Sequence, residues 1–413
     1  MHILVANWSW YPTGGDWTYI DNLCRLYEKH GHTVIPFSTH HSKNFNTPFS
    51  EYFVKSYDFK ELNKNKSPAN ALRAVKTSVR AGDAVKKLNS LLDKYPVRLA
   101  HLHNIHHYLT PAIIEVLHRR GIKIIWTLHD YKIICPENSF VSNGKICEAC
   151  LGGRFYHCAA NRCKKNSRAA SLLASIEAYY YHRRKTYTLV DYYLCPSEFL
   201  RQQFIRFGFS PEKLVVTNLC YDINLIDKFL TQPKNPTTDR YILYVGRLEV
   251  IKGLKTLIRA VKDTPVKLRI AGTGPAETEL KTLAGWPENP NVVFEGFCPK
   301  EKVFELTQNA LCGVCPSEWY ENLPYSISET FLFGKPVIGA RIGGIPELVV
   351  DRETGLLFES GNPKDLRDKL LYIWQHPQEA ETMGTNARKH AEAMYTFNNH
   401  WKKLEPIIQH LNI

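Results

Sequence analysis

Arg247 and Lys252 stand five residues apart directly after the apolar run 241–245, with Gly246 and Gly253 beside them. Arg offers a planar fork of donors and Lys a compact charge, while glycine lets backbone approach a ligand. The grouping suits a diphosphate and could neutralise a leaving phosphate without a metal ion. Glu321 and Glu329 lie eight residues apart in the segment 316–329, where a strand end leads through Asn322, Leu323 and Pro324 into a helix. Helix N-termini carry unpaired N–H groups and partial positive charge, so residues 322–326 can hold phosphate as well. Carboxylates touching a phosphate would be repelled, which points both glutamates at hydroxyl groups instead. A nucleotide sugar offers phosphate, sugar and ribose in the required order. Gly272 and Gly274 follow another apolar run and give a weaker signal, a turn able to approach the same ligand.

The first half offers Gly14 and Gly15 in a loop before a helical stretch, and the histidines His101, His103, His106, His107 and His129. Their spacings could ligate zinc, but His103 and His129 each end an apolar run, where an imidazole can meet a sugar hydroxyl or a phosphate. His103 is thus an acceptor or sugar contact, and His101, His106 and His107 are structural. Cys135, Cys147, Cys150, Cys158 and Cys163 crowd one short loop; four thiolates could hold a structural zinc ion that folds it, with disulfides or free thiols as the alternatives. Cys312 and Cys315 have a knuckle spacing but lie within an apolar strand, which makes them core residues.

These residues need elements to carry them. Apolar runs at 3–6, 99–102, 122–128 and 192–195 alternate with helical stretches such as 111–120 and 168–187, and the alternation restarts at 241. Strand and helix in turn imply parallel sheets with helices on both faces, and ligands at the carboxyl ends of the strands. A polar, proline-rich stretch near 231–239 divides the chain. The expected layout is an N-terminal domain over 1–225 with a Cys-rich insertion at 135–163, a linker over 226–240, a second domain over 241–395, and a terminal helix over 396–413 that returns to the first through Trp401.

The 413 residues suit two domains, and their composition is that of a folded chain. Net charge is +13, and residues 1–225 hold 30 Lys plus Arg against 17 Asp plus Glu, so the whole excess lies in the first half. A one-sided basic surface suits an anionic membrane or a phosphorylated lipid. Leu72, Val75, Val79 and Leu91, with Arg73, Lys76, Arg80 and Lys87 on another face, suggest an amphipathic helix. Residues 179–185 set tyrosines beside cations. The opening residues show no secretory leader, and no stretch reaches the length of a membrane span, which gives a cytoplasmic protein peripheral on the inner face of the membrane as the expectation.

Together these motifs resemble the family 4 glycosyltransferases (glycosyl transferases group 1), retaining enzymes of the GT-B fold with two doubly wound domains facing each other across a cleft. Glu321 and Glu329 match that family's pair of glutamates, and residues 343–351 and 354–358 match its C-terminal half. Gly14, Gly15, Gly31, His32, His129 and Asp130 match its N-terminal half, so the likeness covers nearly the whole chain. It implies that Arg247 and Lys252 grip the donor diphosphate, Glu321 faces the donor sugar, Glu329 holds the ribose and His129 lies near the reacting sugar. Gly14, Gly15, Gly246, Gly272, Gly274, Asn322, Leu323 and Pro324 complete the donor-binding set. It further implies a UDP- or GDP-sugar donor, a glycan or lipid-linked acceptor, assembly of bacterial surface polysaccharide such as lipopolysaccharide, and no cofactor for catalysis. Many members carry glycine after the first glutamate, where this chain has Asn322. Two other readings are a nucleotide-sugar epimerase of the same architecture and a basic nucleic-acid-binding protein with a zinc knuckle; the diphosphate site would serve no purpose in the second.

Overall fold

A computed structural model describes residues 1–55, 82–106, 108–231 and 239–413. The chain forms two compact units, Met1–Thr217 with Trp401–Ile413, and Asn218–His400. The first is built on a six-stranded sheet in the order β2-β1-β3-β4-β7-β8, with β1 His2–Ala6, β2 Thr33–Phe37, β3 Val97–Leu102, β4 Lys123–Thr127, β7 Tyr192–Cys195 and β8 Leu214–Val216. Every pairing in it is parallel. The second has the order β11-β10-β9-β12-β13-β14, again parallel throughout, with β9 Ile242–Val245, β10 Leu268–Ala271, β11 Val292–Gly296, β12 Cys312–Cys315, β13 Val337–Ala340 and β14 Gly355–Phe358. Both are doubly wound sheets of the kind the alternation predicts. Strands buried on both faces read as unbroken apolar runs, which is why they were legible: Ile3, Leu4, Val5 and Ala6 are all fully buried.

Strand order fixes where a ligand can enter. In each sheet the winding reverses once, between β1 and β3 in the first unit and between β9 and β12 in the second, and the loops leaving those strands diverge. Lys252 follows β9 and Glu321 follows β12; in the first unit, Gly14 follows β1 and His103 follows β3.

The expected linker over 226–240 needs correction at its start. Residues Ile223–Leu230 are helical, and Leu219, Tyr221 and Ile226 pack into the core of the second unit, so the division falls at residue 217. Residues 232–238 of that linker lie outside the described residues. The helix Phe397–His410 begins in the second unit and ends in the first, where Trp401 stacks on His30 at 3.7 Å between ring centroids. Among the described residues no helix is long and apolar enough to cross a membrane.

The insertion after β4 contains the hairpin β5 Val141–Ser142 and β6 Lys145–Ile146 and the short helix Tyr156–Ala160. It docks on the helix Arg168–Arg183: Ser175 Oγ donates to the carbonyl of Phe155 at 2.9 Å, and Cys150, Phe155, Cys158 and Ala178 form a small core with Cys163 against it. Among the described residues no group of three or more His, Cys, Asp or Glu is arranged as a metal site, while the thiols of Cys135, Cys147 and Cys163 lie near enough to Cys150 to raise its pKa beyond the effect of burial. The buried thiols act as small hydrophobes that give the loop its packing, and burial pushes Cys135 up to about 11. Cys163, hydrogen-bonded by Cys158, is lowered to about 6. Cys312 and Cys315 are core residues of β12, as expected.

Candidate active site

In the second unit, the turn after β9 and the loop after β12 meet at the point where the winding reverses. Gly253 makes that meeting possible. Its φ is 72°, and a Cβ there would stand 1.8 Å from the carbonyl oxygen of Pro316, so only glycine lets the two loops touch. Glu318 N–H donates to the Ile251 carbonyl at 2.9 Å and holds the same contact from the other side. The turn Val250–Lys252 then aims Lys252 at Glu321, with Nζ to Oε1 at 2.7 Å. Ser317 Oγ donates to the same oxygen at 2.6 Å, and the ammonium lies 5.0 Å from the Trp319 ring centroid. The Glu321 backbone is clamped from β13, where Gly344 N–H donates to its carbonyl at 2.7 Å; a Cβ on Gly343, whose φ is 58°, would meet that same oxygen at 2.3 Å.

Glu321 is only 5% exposed. Burial alone would raise its pKa, but the charge and hydrogen bond of Lys252, with Ser317, hold it below the ordinary carboxylate value. Lys252 responds in kind: burial works against its charge, and Glu321 outweighs that and lifts its pKa. The pair is therefore fully ionised at neutral pH, with the cation poised on an aromatic face.

The other predicted residues distribute around this pair. Arg247 does not share it; its side chain is 72% exposed and pairs with Glu249 at 2.7 Å. Asn322 and Pro324 are half-buried in the loop, and Pro324 leads into the helix Tyr325–Leu332, which no side chain caps. Leu323 packs against the unit's core. Glu329 lies on that helix, where burial raises its pKa against the opposing influence of Lys300 and Tyr221. Gly246, Gly272 and Gly274 serve packing between loops: a Cβ on Gly272 would meet the Gly246 carbonyl at 1.9 Å, and one on Gly274 the Leu248 carbonyl at 2.4 Å.

In the first unit, Gly14 precedes the helix Gly15–Lys29, and both glycines are exposed. The period of two along β3 puts His101 and His103 on one face, stacked at 4.6 Å. His103 Nδ1 and His129 Nε2 share a hydrogen bond at 3.0 Å, which leaves Nδ1 as the atom through which His129 can meet a ligand. Burial and the neighbouring imidazoles hold His103 well below its ordinary pKa. Burial lowers His129 too, against Asp16 and Asp130, so both rings are neutral near pH 7. His101 bonds Tyr27 and Thr127, each at 2.7 Å, and is structural as expected; His106 lies 3.7 Å from buried Glu177, and His107 lies outside the described residues. Asp130 accepts from Lys132 N–H at 2.9 Å and orders the turn below His129.

Sequence reading missed Ser317, Trp319, Gly253 as the loop contact, and the pair Asn104 and Asp16, whose side chains bond at 2.9 Å across the reversal of the first sheet. None carries a spacing signal; each is found only when two distant loops are seen together.

Known proteins place this geometry. The family model described as Glycosyltransferase Family 4 matches residues 13–225, and that described as Glycosyl transferases group 1 matches 226–390. Among relatives, the D-rhamnosyltransferase WbpZ of Pseudomonas aeruginosa is 34% identical over 159 residues, 38% of this chain and 42% of that protein. The O-antigen chain mannosyltransferase C of Escherichia coli is 28% identical over 160 residues, 38% of this chain and 43% of that one. The matched part is about half or less of those relatives' length. Among solved structures, sucrose-phosphate synthase from Thermosynechococcus elongatus is similar with a TM-score of 0.70 at 18% identity, covering 99% of this chain and 98% of that one. Anabaena Alr3699/HepE in complex with UDP-glucose gives 0.64 at 18% identity, covering 100% and 99%. With two doubly wound units, these neighbours in fold, and a family model spanning just over half of its residues, the chain belongs to the family 4 glycosyltransferases of the GT-B type.

Proposed function

We propose that this protein transfers a sugar from a nucleoside-diphosphate sugar to a glycan or lipid-linked glycan, with retention of anomeric configuration and without a catalytic metal. The observation that carries the reading is the Lys252–Glu321 pair at 2.7 Å, set where the strand order of the second sheet reverses. A diphosphate entering there would draw Lys252 away from Glu321 and leave the carboxylate free to accept from sugar hydroxyls. Arg247, exposed beside the same turn, can close on the outer phosphate oxygens. In the transfer, an acceptor hydroxyl bonds the anomeric carbon as the bond from that carbon to the phosphate oxygen breaks. The hydroxyl proton passes to the departing diphosphate, whose added charge falls to the two cations. The complex of HepE with UDP-glucose supports a nucleotide-sugar donor, and the O-antigen chain mannosyltransferase relative supports bacterial surface polysaccharide as the product.

Thermal-shift measurements against UDP-, GDP- and ADP-sugars test the donor, because a ligand of the folded state alone raises the melting temperature with occupancy. Arg247→Ala is the cleaner variant for transfer, since so exposed a side chain supports little of the fold; Lys252→Ala also strands Glu321 without its counter-charge. Each should lower kcat about 100-fold, the loss of a well-aimed donor to a leaving group. Unchanged turnover in Arg247→Ala, or accumulation of an epimerised nucleotide sugar without transfer, would refute the reading.

A further inference from the structure

The helix Arg168–Arg183 buries Ser171, Ala174, Ser175, Glu177, Ala178 and Tyr181 in the first unit. On its other face Leu172 is 53% exposed and Ile176 38% exposed, four residues apart and therefore aligned along the helix. Tyr180 continues that line one turn further. Tyr179 accepts from the backbone N–H of Tyr156 at 3.2 Å, which brings the helix Tyr156–Ala160 alongside and adds a ring that is 55% exposed. Two aliphatic side chains and the Tyr156 ring thus lie in water on one face, with Tyr179 and Tyr180 half-buried beside them.

The charge around them is predominantly positive, with Arg184 paired to Glu115 at 2.8 Å. Residues 149–190 hold eight Lys plus Arg and a single acidic residue, Glu177. That carboxylate is buried and paired with Lys132 at 3.4 Å, so it lends no negative charge to the surface. Arg162, Lys165 and Arg168 are exposed toward one end of the helix and Arg183 and Lys185 at the other. A shaped protein partner would require one concentrated complementary patch. Cations at both ends of a 16-residue helix, about 24 Å long, with aliphatic and tyrosyl side chains between them, suit an extended anionic plane instead. In the described part of the other helix expected to serve this purpose, Gly82–Lys94, the apolar residues Ala84, Leu88 and Leu91 are buried. Residues 72–80 lie outside the described residues.

We propose that the face carrying Tyr156, Leu172, Ile176 and Tyr180 docks on an anionic phospholipid bilayer. The aliphatic side chains enter the headgroup boundary, the tyrosines sit at its level, and the flanking cations meet lipid phosphates. The surface belongs to the first unit and does not depend on the donor reading.

Flotation of the full chain with vesicles tests it, using pure phosphatidylcholine and phosphatidylcholine mixed equally with phosphatidylglycerol. The protein should float with the mixed vesicles only, and less so as salt rises. Leu172→Ser with Ile176→Ser should lower the partition coefficient about tenfold with unchanged thermal unfolding, and Arg183→Ser with Lys185→Ser by a similar factor. Arg259→Ser, a cation removed from the second unit, should leave it unaltered. Equal binding to both vesicle types, full binding by the Leu172 and Ile176 variant, or a wild-type dimer in sedimentation equilibrium that this variant dissociates, would overturn the proposal.

Discussion

Glu321 and Glu329 have the same side chain and opposite protonation behaviour. Burial raises both, but Glu321 has Lys252 at 2.7 Å and falls below the ordinary value, whereas the Lys300 and Tyr221 influences on Glu329 do not overcome burial. A carboxyl whose folded pKa is raised contributes stability that is fully present below its unfolded pKa and lost as pH rises through the folded one. At neutral pH the ionised Glu329 therefore costs stability. Glu329→Gln should melt at a higher temperature than the wild type at pH 7, with the difference vanishing near pH 4, while its affinity for a nucleotide sugar falls about tenfold for the lost charged acceptor. Calorimetry at the two pH values with a binding titration checks both parts; a variant less stable at pH 7 would contradict the assignment. That Lys252 and Glu321 follow strands β9 and β12 was legible because both strands are unbroken apolar runs. That Arg247 pairs with Glu249 while Lys252 pairs with Glu321 was not, since both cations follow the same strand and differ only in how the turn rotates them.

At the scale of elements, the active loops depend on contacts too close for a side chain. Gly253→Ala would force a Cβ against the Pro316 carbonyl in a left-handed conformation and should cost at least about 2 kcal/mol. It should also displace Lys252 and weaken donor binding. Gly31→Ala is the internal comparison: its φ of 74° is similar but nothing lies within 4 Å of the added carbon, so only the backbone cost of about 1 kcal/mol applies. Chemical denaturation of the two variants should separate these values. Buried strands were read easily from their unbroken apolar runs. Helices such as Lys300–Asn309, with Phe304, Leu306 and Thr307 as the buried residues in a charged surround, were not, because a half-wetted helix carries too few apolar positions to declare its period.

For the whole molecule, two units of separate core imply separable stability. Trp401 is far from the first unit in sequence, yet it stacks on His30 and meets Tyr27 edge-on, so Trp401→Ala should loosen the first unit by about 2 kcal/mol and leave the second alone. Hydrogen exchange should then rise in Gly15–Lys29 and β2 while protection in β9 and β12 is unchanged; loss spread over both units would contradict it. The sequence by itself determined two doubly wound sheets and the family, because apolar period and the spacing of motif residues are local properties. Tertiary structure alone decided that Ser317 and Trp319 stand beside Lys252 and Glu321, that residues 218–230 belong to the second unit, and that Cys150, Cys158 and Cys163 of the insertion pack together with Phe155 and Ala178. Each of these turns on which distant segments come within a few ångströms, and that is set by strand order and loop contact.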